Sequence, residues 1–335
     1  MSHHASIVPS GESFQIDAGE SVLDAALRQG CALNYGCRHG NCSSCKYFLE
    51  AGDVDHGAAS IYSLTEAERE AGFALLCCAR PLTDLVIAAR EGDDPRAAPL
   101  LAPTARAATI DVVEPVTARL WRIMLALDAP LAFYPGQFIE IQIPGTALWR
   151  SYSIASAPAR STQLELVIKH LPGGAFSGHL PTLARGLQIS MRGPFGTSYL
   201  RAGTAPVLLV ATGSGIAPLM SILDDARARA DPRRFDLFFG ARSVADLPFA
   251  ARLQGYADHF GERFSYCPTL TQGAADWRGR RGRVTQALQR EIDDASRYDA
   301  YLCGAPAMCD ASGALLEAKG IRTHQLFYDR FHAAS

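Results

Sequence analysis

Cys37, Cys42 and Cys45 stand in the spacing C-x4-C-x2-C within NYGCRHGNCSSCKY, residues 34–47, and Cys77 and Cys78 follow in ALLCCARP. Thiolate sulfur at this density is a soft-metal donor set. Three sulfurs from one tight loop and a fourth from well downstream is the spacing that holds a 2Fe–2S cluster, in which each iron takes two cysteine sulfurs beside two bridging sulfides. Gly36 and Gly40 let the backbone wrap closely enough for its amide N–H groups to point at the sulfurs. A structural zinc site also uses four cysteines, but usually as two C-x2-C knuckles, and one is present here. Cys31, Cys267 and Cys309 read as small core or surface residues.

A second set of residues suits a phosphate-bearing ring cofactor. RSYS, Arg150-Ser151-Tyr152-Ser153, falls on an expected strand whose alternation puts Arg150 and Tyr152 on one face. The arginine can bind a pyrophosphate through two N–H donors, and the tyrosine can lie against an aromatic ring system. Ser153, on the other face, can donate to a ring nitrogen. Downstream, KHLPGGAFSGHL carries Lys169, Gly173, Gly174 and Ser177, a glycine turn with a helix start suited to phosphate oxygens. An arginine and a glycine turn together imply a pyrophosphate, and so FAD rather than FMN.

A third set follows. VLLVATGSGIAPLMSIL places Gly213, Gly215, Ala217 and Pro218 between a strand and a helix. Those glycines permit a tight turn and close approach of a diphosphate to the helix N-terminus. The third glycine of G-x-G-x-x-G is absent, and Pro218 occupies a first-turn position where it costs no hydrogen bond.

The elements that must carry these residues fall into three blocks. SIVPSGESFQIDAGES alternates about a turn as a hairpin does, and SVLDAALRQG reads as a short helix capped by Ser21 and stopped by Gly30. KYFLEAG and DLVIAAREG read as strands around the cysteine loop, so residues 1–95 form the first domain. Residues 96–108, rich in alanine and proline without a period, read as a linker. Residues 109–203 show short strands about ten residues apart with Pro/Gly punctuation, the pattern of an antiparallel barrel. Residues 204–335 alternate apolar strands with helices, which argues for a parallel α/β sheet. At 335 residues, 48% hydrophobic and a net charge of −2, the chain describes a globular multidomain protein without the basic surface that nucleic acid requires. No apolar run reaches membrane-spanning length, and the first residues lack the charged and apolar regions of a signal peptide, so a cytoplasmic setting is expected. His3 and His4 read as a terminal segment without a metal role.

The motifs together resemble those of the reductase components of bacterial multicomponent oxygenases. In these a plant-type 2Fe–2S ferredoxin domain of β-grasp fold is fused to the FAD barrel and NAD(P) lobe of the ferredoxin–NADP⁺ reductase superfamily. LLCCARPLTDLVI is similar to the family's fourth-ligand stretch, which implies Cys77 as the ligand and Cys78 as its neighbour. Ser43 departs from the glycine common there. Arg38 and His39, in the same loop, read either as partner-docking or cluster-bonding groups or as solvated residues. The resemblance implies that RSYS and the glycine-Ser segment hold flavin and pyrophosphate, and that FFGARS brings Arg242 to the adenosine half of the dinucleotide. It implies that Cys303, followed by Gly304 in YLCGAPAM, lies beside the nicotinamide, and that Phe331 of FYDRF covers the flavin, with Phe327 and Tyr328 as rival aromatics. The expected activity is electron transfer from NADH, in preference to NADPH, through FAD and the cluster to an oxygenase or hydroxylase component, directly or through a Rieske ferredoxin. Ser153, Cys303 and Phe331 are the expected residues at the reacting rings. A reductase partner of a deoxysugar dehydrase and a non-enzymatic iron–sulfur or metal scaffold are the alternatives.

Overall fold

The structure is a computed structural model that describes residues 2–89 and 96–332. It divides into two compact units, one reaching Pro103 and the other spanning Thr104–Phe331.

The first unit is built on a five-stranded mixed sheet in the order Ser13–Ile16, His3–Val8, Leu85–Ala88, Lys46–Ala51, Phe73–Leu75. Its first two strands are the expected hairpin, with Ala5 opposite Phe14. Leu85–Ala88 joins parallel to His3–Val8, with Ile7 beside Ile87. Ala5, Ile7, Phe14, Ile16, Leu85 and Ile87 are buried, so period-two alternation turns one face inward. Against that face lies the helix Val22–Arg28, which buries Val22, Leu23, Ala25, Ala26 and Leu27. Ser21 caps it by accepting from the Asp24 N–H at 3.1 Å, and Gly30 follows at φ 83°. This is the β-grasp arrangement. His3 and His4 do not form a loose terminus: they open the first strand, where the His4 N–H bonds the Asp84 carboxylate at 2.8 Å.

In the second unit, six antiparallel strands run in the order Trp149–Ser153, Phe138–Gln142, Gln188–Phe195, Thr104–Pro115, Leu120–Ala126, Gln163–Lys169. A bridge between Ile154 and Leu166 joins the outer two and closes the barrel around Ile110, Ile123, Ile139, Ile141, Leu164 and Met191. The barrel begins earlier than its sequence pattern announces. Thr104–Ala108, read as linker, are strand and pair with Gly193–Ile189. Their alanines carry no alternation of their own, and the neighbouring strand supplies the order.

The same unit continues into a parallel sheet in the order Arg280–Arg281, Phe264–Leu270, Phe235–Ala241, Val207–Thr212, Asp299–Gly304, Leu326–Arg330. Leu208 and Val210 face one core and Val207, Leu209 and Ala211 the other, so both faces are buried under helices. The chain builds outward from Val207–Thr212 in one direction and then crosses to Asp299–Gly304 on its other side. The crevice beyond the carboxyl ends of those two strands is therefore a topological switch point, where open α/β sheets bind ligands.

Candidate functional site

The cysteine loop leaves the helix Val22–Arg28 and returns into the strand Lys46–Ala51. Two non-glycine residues in it are left-handed, Arg38 at φ 63° and Ser43 at φ 56°. Each has a local anchor. The Arg38 guanidinium, almost wholly buried, pairs with Asp24 at 2.7 Å, and the Ser43 hydroxyl donates to the Ser63 carbonyl at 2.9 Å. Serine thus adopts the backbone shape that glycine would give freely. Arg38 is turned inward, away from a docking role.

Backbone amides point at sulfur. The Cys37 N–H lies 3.2 Å from Cys42 Sγ, and the His39 and Asn41 N–H groups each lie 3.4 Å from Cys37 Sγ. The Cys37 thiol donates to Cys42, and with bonds from Ser44 and the loop amides this holds Cys42 well below the usual thiol range. The same bond, together with burial, pushes Cys37 up. Cys77 is pushed up by the neighbouring Cys45. Cys37 thus neighbours Cys42, and Cys77 neighbours both Cys45 and Cys78. Cys78 Sγ sits 3.7 Å from Cys77 Sγ and against Gly40, where a Cβ would come within 2.8 Å of it. A Cβ on Gly36 would likewise press at 3.0 Å on Cys42 Sγ. The loop is a close cradle of thiols and inward amides that suits a two-iron cluster.

On the barrel, Arg150 faces Ile141 and Tyr152 faces Ile139 across the ladder, with Ser151 opposite Glu140 between them. Arg150 Nη1 bonds the Trp149 carbonyl at 3.0 Å, and the Tyr152 ring lies 5.4 Å from that of Phe176. Lys169 ends the last barrel strand. In the turn that follows, Gly173 is left-handed at φ 76°, and any Cβ on Gly174 would strike the Ser177 hydroxyl. Ser177 opens a short 3-10 helix, Ser177–Thr182, at the expected helix start. Two cations, three serine hydroxyls and an aromatic ring remain a donor set that fits a flavin dinucleotide.

At the switch point, Gly213 turns at φ 57° and the helix Ile216–Ala228 follows. Gly215 abuts the next strand so closely that a Cβ there would collide with the Cys303 carbonyl. Ala217 and Pro218 are buried in the first helical turn and do not line the cleft, so they shape it from behind. A cleft here is lined by Lys169, Thr212, Gly213, Arg242, Thr271 and Arg283, among others. Arg242 is half-exposed with Nη2 3.8 Å from Asp246 Oδ1, while the Ser243 N–H and hydroxyl donate to Asp246 Oδ2 at 3.1 and 2.9 Å. Gly304 follows Cys303 at the strand end. Cys303 is buried, and burial raises its thiol first, with the Asp329 carboxylate opposite it adding to the rise.

Phe331 lies just past the last strand, its N–H bonded to the Gly304 carbonyl at 2.8 Å. Its rivals are engaged elsewhere: Phe327 stacks on Tyr301 at 4.8 Å, and Tyr328 packs against Gly313 and under Arg330. One residue at this junction escaped the sequence reading. Asp329 Oδ2 accepts from the Ser153 hydroxyl at 3.0 Å, tying the barrel strand to the last strand of the parallel sheet. Its only sequence signal was its place in FYDRF. Thr271, just past the strand Phe264–Leu270, and Arg283, at the start of the helix Val284–Glu291, were also missed.

Comparison with known proteins places all three modules. Family models for a 2Fe-2S iron-sulfur cluster binding domain, an oxidoreductase FAD-binding domain and an oxidoreductase NAD-binding domain match residues 6–82, 108–199 and 209–313. The chain is 34% identical to the phenol 2-monooxygenase reductase component DmpP of Pseudomonas sp. (strain CF600), over 100% of this chain and 96% of that one. The chain belongs to the reductase components of multicomponent oxygenases. It is also 32% identical to the propane 2-monooxygenase reductase component of Rhodococcus jostii (strain RHA1), over 98% of this chain and 91% of the other. Among solved structures, the Amycolatopsis cytochrome P450 reductase GcoB superposes with a TM-score of 0.88 at 31% identity, over 99% and 100% of the two chains. This reductase is an oxidoreductase of FAD, NAD(H) and a 2Fe–2S cluster that passes electrons to an oxygenase component. Among the described residues no helix is long and apolar enough to cross a membrane.

Proposed function

We propose that this reductase takes hydride from NADH in preference to NADPH and serves a monooxygenase acting on a small aromatic or hydrocarbon substrate. The observation that carries the site assignment is the junction of Ser153 with Asp329, above the buried Cys303 and beside the glycine turn of the dinucleotide cleft. At that junction the barrel residues suited to a flavin and the strand ends suited to a dinucleotide come together.

When bound, FAD and the 2Fe–2S cluster supply the conversion from a two-electron donor to a one-electron carrier. The residues supply binding and orientation. Arg150, Ser151 and Lys169, with the Gly173-Gly174-Ser177 turn, hold the flavin pyrophosphate. Tyr152 backs the ring system. Ser153 orients the ring edge, and its hydroxyl proton has a carboxylate acceptor in Asp329 at 3.0 Å. Gly213 and Gly215 bring backbone amides to the dinucleotide diphosphate, with Ala217 and Pro218 fixing the helix behind them. Cys303 and Gly304 would floor the nicotinamide position, and Phe331 would lie over the flavin. Cys37, Cys42, Cys45 and Cys77 would hold the cluster.

Support for NADH comes from Asp246. Its carboxylate occupies both Ser243 donors and faces Arg242, which weakens the attraction these groups offer a 2′-phosphate. Support for a monooxygenase partner comes from the phenol and propane relatives. The first barrel strand starts at Thr104, which supports a linker shorter than the sequence pattern suggests. Nine unpaired cysteines suit a reducing cytoplasm. The test is stopped-flow reduction of the FAD- and cluster-loaded protein by each coenzyme, with cytochrome c and then the neighbouring oxygenase component as acceptor. An NADPH rate at or above the NADH rate overturns the coenzyme assignment. An oxygenase component that takes up no electrons from the NADH-reduced protein overturns the partner.

A further inference from the structure

The barrel and the parallel-sheet lobe also share a charged network. Its centre is Arg252, on the helix Ala250–Phe260. The largely buried guanidinium spends its donors on three elements at once. Nη1 bonds Glu165 Oε2 at 2.9 Å on the last barrel strand, and Nη2 bonds the Ala155 carbonyl at 3.0 Å just past the strand of Ser153. Nη2 also bonds Asp224 Oδ2 at 2.5 Å on the helix Ile216–Ala228, and Nε bonds the Tyr256 hydroxyl at 2.9 Å. That hydroxyl in turn donates to Asp224 Oδ1 at 2.9 Å, so both aspartate oxygens are engaged. Glu165 is matched on its other oxygen by Arg122 Nε at 2.9 Å. A second link runs parallel: the Ser221 hydroxyl, on the helix of Asp224, donates to the Ser156 carbonyl at 2.7 Å, and Ser156 Oγ accepts the Glu165 N–H at 3.1 Å.

What these bonds join matters more than their number. Ala155 is two residues beyond Ser153, so the carbonyl Arg252 holds belongs to the segment that fixes the Ser153 hydroxyl. Asp224 and Ser221 lie on the helix that starts at the glycine turn of the dinucleotide cleft. The network therefore clamps, by directional bonds, the element positioning one reacting ring to the element positioning the other. Buried ion pairs add little net stability over apolar packing of the same shape, but they fix geometry where apolar contact would allow sliding. We propose that Arg252 is a positioning residue for hydride transfer: it sets the register of the flavin barrel against the nucleotide lobe, and thereby the distance between the two rings. This rests on the assignment of the Ser153 junction as the hydride-transfer site.

The test uses the full chain loaded with FAD and cluster, as Arg252→Met, Arg252→Lys and Ser221→Ala, in stopped-flow flavin reduction over a range of NADH concentrations. Misplacement of reacting atoms by about an ångström costs on the order of a hundredfold in rate. Arg252→Met is therefore expected to lower the saturating rate roughly ten- to hundredfold while the NADH dissociation constant moves less than about threefold. Arg252→Lys, which keeps the charge, should recover part of that loss, Ser221→Ala should show a smaller loss of the same kind, and the visible circular dichroism of the flavin should change in step. Variants that melt at lower temperature but keep the saturating rate within about twofold overturn the proposal, since the network then only stabilises. Where Arg252→Met does not retain FAD, Arg252→Lys and Ser221→Ala decide by the same criterion. Failure of the wild-type protein itself to be reduced by NADH would refute the underlying site assignment instead.

Discussion

The Ser153 hydroxyl and the Asp329 carboxylate, 176 positions apart in the chain, meet at 3.0 Å where the barrel touches the last strand of the parallel sheet. Ser153 is buried, and Asp329 lies directly opposite the buried Cys303 in the sheet register. A hydroxyl that donates to a carboxylate is held in one orientation by a charge-assisted hydrogen bond. Asp329→Asn keeps the shape and removes the charge. It should lower flavin reduction at saturating NADH by roughly ten- to hundredfold, the scale of a group that loses its orientation. Ser153→Ala should act in the same direction, and the double variant should cost little more than the worse single one. Rates for both single variants within about twofold of wild type would reduce the pair to a contact between lobes.

That pair also marks where sequence reading stops. Features set by a few consecutive residues were legible: the Ser21 cap, the cysteine spacing, the alternation that puts Arg150 and Tyr152 on one face, the glycine turn at Gly213. Features set by pairing across the chain were not. Nothing in Thr104–Ala108 announces a strand until Gln188–Gly193 lies beside it. Asp329 stood in the quoted motif, yet its partner is fixed only by how barrel and sheet meet. Arg252 looks like any helical arginine until Glu165, Ala155 and Asp224 converge on it. Which sulfurs neighbour one another is likewise a property of the folded loop.

Coenzyme choice turns on Asp246. Its carboxylate accepts both Ser243 donors and lies 3.8 Å from Arg242, so these three groups present little net attraction to a second phosphate. Asp246→Asn should raise the NADPH-to-NADH ratio of kcat/KM by roughly tenfold, equivalent to about 1.4 kcal/mol. Arg242→Ala should weaken NADPH more than NADH. A ratio unchanged by Asp246→Asn would place discrimination elsewhere in the cleft.

Gly215 has no room for a side chain. A Cβ would collide with the Cys303 carbonyl, a backbone atom that cannot rotate away. Gly215→Ala must therefore push apart the first two strands at the switch point, at a cost of about 1–3 kcal/mol for an overpacked site. The expected result is a lower melting temperature with weaker NADH binding and unchanged iron content. Gly213→Ala differs: its glycine turns at φ 57° with open space around it, so the strain is conformational and the loss smaller. Equal losses in the two variants would contradict the close approach.

The adjacent Cys77 and Cys78 separate by position. Cys77 lies next to Cys45, which pushes its thiol up, whereas Cys78 lies against Gly40. If Cys37, Cys42, Cys45 and Cys77 hold the cluster, Cys77→Ser removes one ligand and Cys78→Ser removes none. Cys77→Ser should lose most of its iron or show a markedly altered visible spectrum. Cys78→Ser should keep its iron and its spectrum, with at most a modest loss of stability from the smaller atom against Gly40. Flavin reduction by NADH should persist in both, because the flavin barrel and the cleft are built from residues of the other unit. Electron delivery to cytochrome c should fall only in Cys77→Ser. A cluster that survives without Cys77 and disappears without Cys78 would shift the ligand by one residue. The Cys45–Cys77 contact would then belong to the loop's packing and not to its iron.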